Sequence, residues 1–308
     1  MRLSIKSKDD FETLMEEVDL ALQAKGVPMP AREIPAIGEV AKKLNISLKV
    51  APLSSGPIQN LYEGDSLSAH ILQWFDHRYG ERLKVDFSIG YSVIIIRGES
   101  WLLKCPLMYG SVTVVCDRNL KNVYQNFVTN RPGKPQQEAK FNLLHSIEKI
   151  PEGLVNRLTD EELKEILNYY MNAHNFFNAI HGSCGGDELV LGAVTDFKTS
   201  ARFAVGNPTS YGQSLWSTLQ AAEKILKYYI KVKGEKFPHI HNLSKLAKQS
   251  YKLGLPVINE DLLKVVQCEA SVRYEQLSYT VERVVKAHQG ALQIALIVIK
   301  ALYPTATS

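Results

Sequence analysis

The spacing of apolar residues predicts helices over most of the chain. In the clearest segment, residues 214–230, apolar side chains recur every three or four positions and therefore lie on one side of a helix. The residues of this apolar side are Leu215, Leu219, Ala222, Leu226 and Tyr229. Similar spacing predicts further helices at residues 9–25, 34–44, 67–79, 138–148, 159–180, 187–205, 242–252, 260–274 and 280–302.

Short runs rich in Val and Ile replace this helical pattern between residues 83 and 115. They predict strands at residues 83–87, 91–97, 101–106 and 111–115, with a further short strand at residues 47–50. Glycine-containing turns separate the four consecutive runs, and this spacing is typical of an antiparallel meander. Because helices precede these strands, the N-terminal part is predicted to be an α+β domain with an antiparallel sheet.

A domain boundary is predicted after the aromatic helix at residues 159–180. The helix starts with a capping sequence, in which Thr159 is the N-cap and Glu162 follows three residues later. It ends before a glycine-rich segment, residues 182–186, that is typical of a hinge. We therefore predict an α+β domain of unknown role at residues 1–182 and an all-helical bundle at residues 183–308.

Composition narrows the function classes. With 45% hydrophobic and 22% charged residues, the 308-residue chain has the balance of a folded globular protein. The longest apolar run, residues 291–302, is too short to cross a bilayer, and the N-terminus lacks a secretory signal pattern. We therefore expect a cytoplasmic protein with no membrane partner.

Neither a metal nor a cofactor is expected from the motifs. The four cysteines are widely spaced and form no CxxC pair, so they are interpreted as reduced thiols. The phosphate-binding loop, the dinucleotide-binding glycine motif and the HExxH zinc motif are all missing from the sequence. His239 and His241 stand two apart, but the loop offers them no neighbouring carboxylate or thiol as a further metal ligand.

Positive charge is concentrated in the C-terminal third. Residues 205–308 contain 13 Lys and Arg against 7 Asp and Glu, a net charge of +6, whereas the whole chain carries +4. A basic surplus of this kind suits a polyanion such as RNA. It is equally compatible with a merely solvated surface.

Three features of the C-terminal part together resemble the HEPN family. Residues 221–224, Ala-Ala-Glu-Lys, lie in the clearest helix, residues 241–243, His-Asn-Leu, follow after a glycine and a loop, and Arg273-Tyr274 precede the long last helix. The resemblance covers about the last 120 residues, a normal size for one domain. It implies a small up-and-down helical domain that is usually dimeric. Some members are ribonucleases, some bind nucleotides and some are scaffolds.

The resemblance also implies candidate catalytic residues, Arg283 and His288. Catalytic HEPN ribonucleases carry an Arg followed four to six residues later by a His, and dimerisation brings two such motifs into one cleft. Without a metal, His would move a proton from the ribose 2′-hydroxyl while Arg stabilises charge on the phosphate. Val284 departs from this motif, because a polar residue commonly follows the Arg. Alternatively, Arg283 pairs with Glu282 or Glu275 on the surface and His288 lies at the helix edge.

Candidate residues for binding a nucleotide or RNA are Arg273, Tyr274, Lys286 and His241. A guanidinium can hold a phosphate through two parallel hydrogen bonds. The structural alternative is that Tyr274 covers the core, Arg273 ties helix ends together and His241 orders the loop before the next helix.

Three hypotheses follow for the whole protein. The first is a homodimeric HEPN protein that binds a nucleotide or RNA without cleaving it. The second is a metal-independent endoribonuclease that uses Arg283 and His288, as a prokaryotic defence effector or a toxin of a toxin–antitoxin pair. The third is an interaction scaffold whose N-terminal domain recognises a protein partner.

Overall fold

The computed structural model forms two compact units, residues 1–86 and residues 87–308. It describes residues 5–50, 56–83, 86–108, 112–118, 139–183, 186–274 and 279–304. The domain boundary predicted at residues 182/183 lies inside the second unit and stays a prediction.

The described residues of the first unit form three α-helices: α1 (Lys8–Ala24), α2 (Glu33–Leu44) and α3 (Gly64–Tyr79). They confirm the helices predicted there, and their apolar sides share one core. An ion pair between Asp19 and Arg32, with Nη1 3.1 Å from Oδ1, is buried beside this core. The strand predicted at residues 47–50 is wrong, because residues 46–50 have no regular secondary structure.

An antiparallel hairpin of β1 (Ser88–Ile96) and β2 (Glu99–Pro106) opens the second unit. Its two-residue turn, Arg97-Gly98, has positive φ at both positions, as the twist of a tight hairpin favours. Gly90 is required where β1 passes the Phe177 ring, since a Cβ at position 90 would lie 2.1 Å from that ring. The hairpin confirms an antiparallel sheet in the N-terminal part.

The strand predicted at residues 111–115 is confirmed as β3 (Val112–Val115), but its predicted antiparallel pairing in a meander is wrong. Strand β3 pairs in parallel with β4 (Ala139–Asn142). The four residues of β4 were predicted to begin a helix. A 3-10 helix follows β4, and the Asn142 side chain caps it by accepting from the Leu144 amide. The strand predicted at residues 83–87 is also wrong: Leu83 ends a 3-10 helix and residues 86–87 are irregular, while residues 84–85 lie outside the described part.

Helices complete the second unit, and those after residue 183 confirm the predicted bundle. They are α4 (Glu152–Val155), α5 (Asp160–Ser183), α6 (Glu188–Val205), α7 (Tyr211–Val232), α8 (Leu243–Lys252), α9 (Glu260–Val266) and α10 (Val281–Leu302). The capping sequence before α5 forms as predicted, since Thr159 and Glu162 exchange side-chain to backbone hydrogen bonds of 2.7 and 3.2 Å. Helix α9 is shorter than predicted and is followed by a 3-10 helix at Ala270–Arg273.

Helix α7 is the centre of the bundle and packs against α6, α8 and α10. Its predicted apolar side is confirmed as core, because Leu215, Leu219, Ala222, Leu226 and Tyr229 are all at most 1% exposed. Among the described helices, α10 alone is long and apolar enough to cross a bilayer, but 72% of its apolar window is buried within the fold. The buried core helix of a globular bundle passes the same test of length and composition.

Candidate functional site

A second stripe of α7 carries the candidate site. Trp216, Gln220, Glu223 and Lys227 recur at spacings of four, three and four, so they lie along one side of the helix, next to its apolar side. This stripe faces the loop before α8, because the His241 ring contacts Trp216 and the Phe237 ring lies 5.7 Å from Lys227 Nζ. Polar and aromatic groups from separate segments therefore meet on α7.

Arg273 and Tyr274 lie at the Trp216 end of the stripe. The Arg273 guanidinium carbon is 4.5 Å from the centre of the Trp216 ring and 5.0 Å from that of Tyr274. Tyr274 is 77% exposed. A backbone contact makes this arrangement possible, since a Cβ on Gly212 would lie 2.0 Å from the Val272 carbonyl oxygen. The first turn of α7 and the 3-10 helix therefore touch through their main chains.

His241 also packs against Trp216, with 5.7 Å between the ring centres. Its Nδ1 is 2.8 Å from Glu223 Oε2, and Lys227 Nζ donates to Glu223 Oε1 at 2.6 Å. The Glu223 side chain is only 4% exposed and that of Lys227 only 10%, whereas the His241 side chain is 61% exposed. The buried charges thus compensate each other while the imidazole reaches the surface.

Three of the four predicted binding residues therefore come together around a tryptophan. We call the group formed by Trp216, His241, Arg273 and Tyr274 the Trp216 surface. Lys286, the fourth, is exposed on α10 and makes neither a hydrogen bond nor an ion pair with the residues that the structure describes. Sequence analysis missed Trp216 and Glu223 as site residues, although their spacing with Gln220 was a readable signal.

The predicted catalytic Arg283 holds the end of α9. Its Nη1 donates to the Val265 carbonyl and its Nη2 lies 3.5 Å from the Gln267 carbonyl, so it satisfies acceptors that a helix end leaves open. Gln267 in turn donates to the His241 carbonyl at 3.1 Å and accepts from the Leu243 amide at 2.9 Å. Through Gln267, Arg283 supports the loop that carries His241.

The predicted catalytic His288, on α10, is fully buried and packs against α6. Its Nδ1 lies 3.1 Å from Ser200 Oγ, which also contacts Thr218 Oγ1 at 2.6 Å. Its Nε2 has no hydrogen-bond partner among the described residues, and burial lowers the pKa of the imidazole to about 3. In this conformation His288 and Arg283 face different neighbours, and the catalytic assignment stays a prediction.

Metal-binding clusters and thiols are the remaining candidates for chemistry in the described part of the chain. It contains no cluster of three or more His, Cys, Asp or Glu side chains suited to a metal. Cys105, Cys116 and Cys268 are free, and burial raises their thiol pKa values, to about 12 for Cys116 and about 11 for Cys268. These thiols are therefore protonated near neutral pH and poor nucleophiles.

The fold and this surface define an all-helical domain whose central helix carries a half-buried tryptophan, against which aromatic and basic side chains from neighbouring segments pack. Comparison with protein families places this domain: residues 195–302 match the HEPN domain, so the C-terminal part of the chain contains a HEPN domain. The match covers α7, α8, α9, α10 and most of α6, including every residue of the Trp216 surface. No curated protein and no solved structure gives a significant match to the chain.

Proposed function

We propose that the HEPN domain of this protein binds RNA or a nucleotide through the Trp216 surface. The observation that carries the proposal is the Arg273 guanidinium, which lies over the rings of both Trp216 and Tyr274. Its Nε donates to the Ala270 carbonyl at 3.2 Å, whereas its two terminal nitrogens bond to none of the described residues. Those nitrogens can hold a phosphate while an exposed ring stacks on a base.

Charge favours the same ligand class. The positive surplus of residues 205–308 attracts a polyanion, and each phosphate contact makes affinity depend on salt. Next to the Trp216 surface, the carboxylate of Glu223 is held by Lys227 and His241 and is almost fully buried. It therefore repels an approaching phosphate less than an exposed carboxylate would.

The test measures the affinity of the full-length protein for a fluorescently labelled single-stranded RNA by anisotropy. Arg273→Gln removes the charge at the site, and Lys252→Gln removes one charge from an exposed position at the end of α8 as a matched control. We expect Arg273→Gln to weaken binding by about tenfold, as the loss of a charge-assisted hydrogen bond implies, and Lys252→Gln by less than about twofold.

Tyr274→Ala examines the stacking part of the proposal. Because Tyr274 is 77% exposed, its removal leaves the core intact. Base stacking on an aromatic ring contributes about 1–3 kcal/mol, so RNA affinity should fall by at least about fivefold. Absence of RNA and nucleotide binding, or equal effects of Arg273→Gln and Lys252→Gln, would overturn the proposal.

Homodimerisation is the second part of the proposal, and the usual dimeric state of HEPN domains supports it. Light scattering on the purified chain should give twice its 34.5 kDa mass. A mass of one chain at micromolar concentration would refute this part. A protein partner for the N-terminal part stays a prediction, and the exposed apolar residues Leu20, Ile34 and Ile58 of the first unit are compatible with it.

A further inference from the structure

We infer that Glu223 fixes the tautomer of His241, so that His241 Nε2 accepts a hydrogen bond from a ribose 2′-hydroxyl and makes the Trp216 surface prefer RNA over DNA. This inference rests on the proposed function and adds the sugar that the site selects. It assigns His241 as the specificity-determining residue and Glu223 as the positioning residue.

Two groups lie near His241 Nδ1, Gln220 Nε2 at 3.4 Å and Glu223 Oε2 at 2.8 Å, and the shorter contact with the carboxylate determines which nitrogen of His241 carries the proton. An ionised carboxylate can only accept, so Lys227 Nζ at 2.6 Å and His241 Nδ1 at 2.8 Å both donate to it. Lys227 already compensates the carboxylate charge, and a neutral imidazole is enough to complete the set. With the proton on Nδ1, Nε2 is a hydrogen-bond acceptor.

The position of His241 leaves this acceptor open to a ligand. Nε2 is on the far side of the ring from Nδ1, and therefore points away from the buried carboxylate. The side chain is 61% exposed and Nε2 bonds to none of the described residues. The Trp216 ring contacts both the imidazole and the Arg273 guanidinium, so an RNA phosphate held by Arg273 brings its sugar towards His241.

The loop holds His241 in place before any ligand arrives. Gln267 binds the loop on both sides of Asn242, donating to the His241 carbonyl and accepting from the Leu243 amide at 3.1 and 2.9 Å. A contact that is ordered in the free protein costs little entropy on binding. The 2′-hydroxyl, present in RNA and missing in DNA, is the donor that such a fixed acceptor distinguishes.

The experiment compares three labelled oligonucleotides of one base sequence at pH 8: RNA, the 2′-deoxy form with uracil retained, and 2′-O-methyl RNA. The methylated form keeps the sugar pucker of RNA but cannot donate from the 2′ position. Wild-type full-length protein should bind RNA about fivefold or more tightly than either of the other two, as one added hydrogen bond implies.

His241→Phe keeps a ring against Trp216 and removes the acceptor. It should lower RNA affinity by about fivefold more than it lowers affinity for the 2′-deoxy form, so that the RNA-to-deoxy ratio falls to about one. Glu223→Gln, whose amide can donate as well as accept, releases the tautomer and should reduce the RNA-to-deoxy ratio. This ratio is insensitive to a partly unfolded sample, because both oligonucleotides bind the same folded fraction.

The outcomes separate this inference from the proposed function. Binding of none of the oligonucleotides would remove the proposed function itself. Equal wild-type affinity for RNA and the deoxy form, or equal affinity for RNA and 2′-O-methyl RNA, would overturn the assignment of His241 while RNA binding stands. A full RNA preference in Glu223→Gln would overturn the positioning role of Glu223.

Discussion

Lowering the pH from 7 to 5 should destabilise the unit of residues 87–308 through His288. Burial lowers the pKa of His288 to about 3 in the folded protein, against 6.5 for an unperturbed imidazole. Below pH 6.5 the unfolded chain therefore binds a proton that the folded chain excludes, and stability falls until the pH approaches the folded value. Between pH 7 and pH 5 these two pKa values give a loss of about 2 kcal/mol.

The assay is guanidinium unfolding at pH 7 and pH 5, followed by tryptophan fluorescence. Replacing Trp74 by Phe leaves Trp101 and Trp216 as the tryptophans, so the signal reports on the second unit alone. His288→Asn keeps a hydrogen-bond acceptor for Ser200 and removes the titration. The control is His181→Asn, because His181 is exposed at the end of α5.

The measured quantity is the change in the free energy of unfolding between the two pH values. Wild type and His181→Asn should lose about 2 kcal/mol more than His288→Asn. Burial also lowers the pKa of His174, but that residue is present in all three proteins and cancels from the comparison. An equal loss in wild type and His288→Asn would refute the buried, neutral state of His288.

Three shorter predictions concern the hairpin, α5 and catalysis. Gly90→Ala should cost about 1–3 kcal/mol of unfolding free energy, because its Cβ would overlap the Phe177 ring. The control Gly153→Ala lies in α4 with open space around its Cβ, and it should leave stability unchanged or raise it by up to about 1 kcal/mol. Thr159→Ala should cost about 1 kcal/mol in a thermal or denaturant melt, through the lost N-cap of α5. Any cleavage of total RNA in EDTA should be the same for wild type and His288→Ala, since His288 is buried; RNA fragments produced by wild type alone would contradict this.

The helices of the bundle were predictable because each repeats its apolar spacing over many residues. Over the 22 residues of α7 the pattern identifies the buried side, and Leu219 and Leu226 are fully buried as expected. The β3–β4 pair was not predictable, because β4 is four residues long and its parallel partner is distant in sequence. An alternating pattern of only four residues is too short to be distinguished from the first turn of a helix.

The end of α9 shows a second limit. The apolar pattern continues beyond Val266, but the backbone leaves the helix where Arg283 and Gln267 bind the nearby carbonyls of α9 and the loop. These bonds come from α10 and from a side chain that reaches across to another segment. Propensity summed along one segment contains neither contribution, so tertiary contacts decide where this helix ends.

Sequence analysis named Arg273 and His241 as candidates from their residue types. It could not determine which side chains point to the same place, because that depends on rotation about the helix axis. Successive residues on α10 turn by about 100°, so Arg283 and His288 point about 140° apart. Accordingly one reaches the carbonyls of α9 and the other reaches Ser200 on α6. Arg273 and His241 are far apart in sequence, yet both contact Trp216, because the loop before α8 and the 3-10 helix both end against the same stripe of α7. A motif defined by spacing along one helix therefore describes a shared surface only when its spacing matches the helical repeat, as the stripe that begins at Trp216 does.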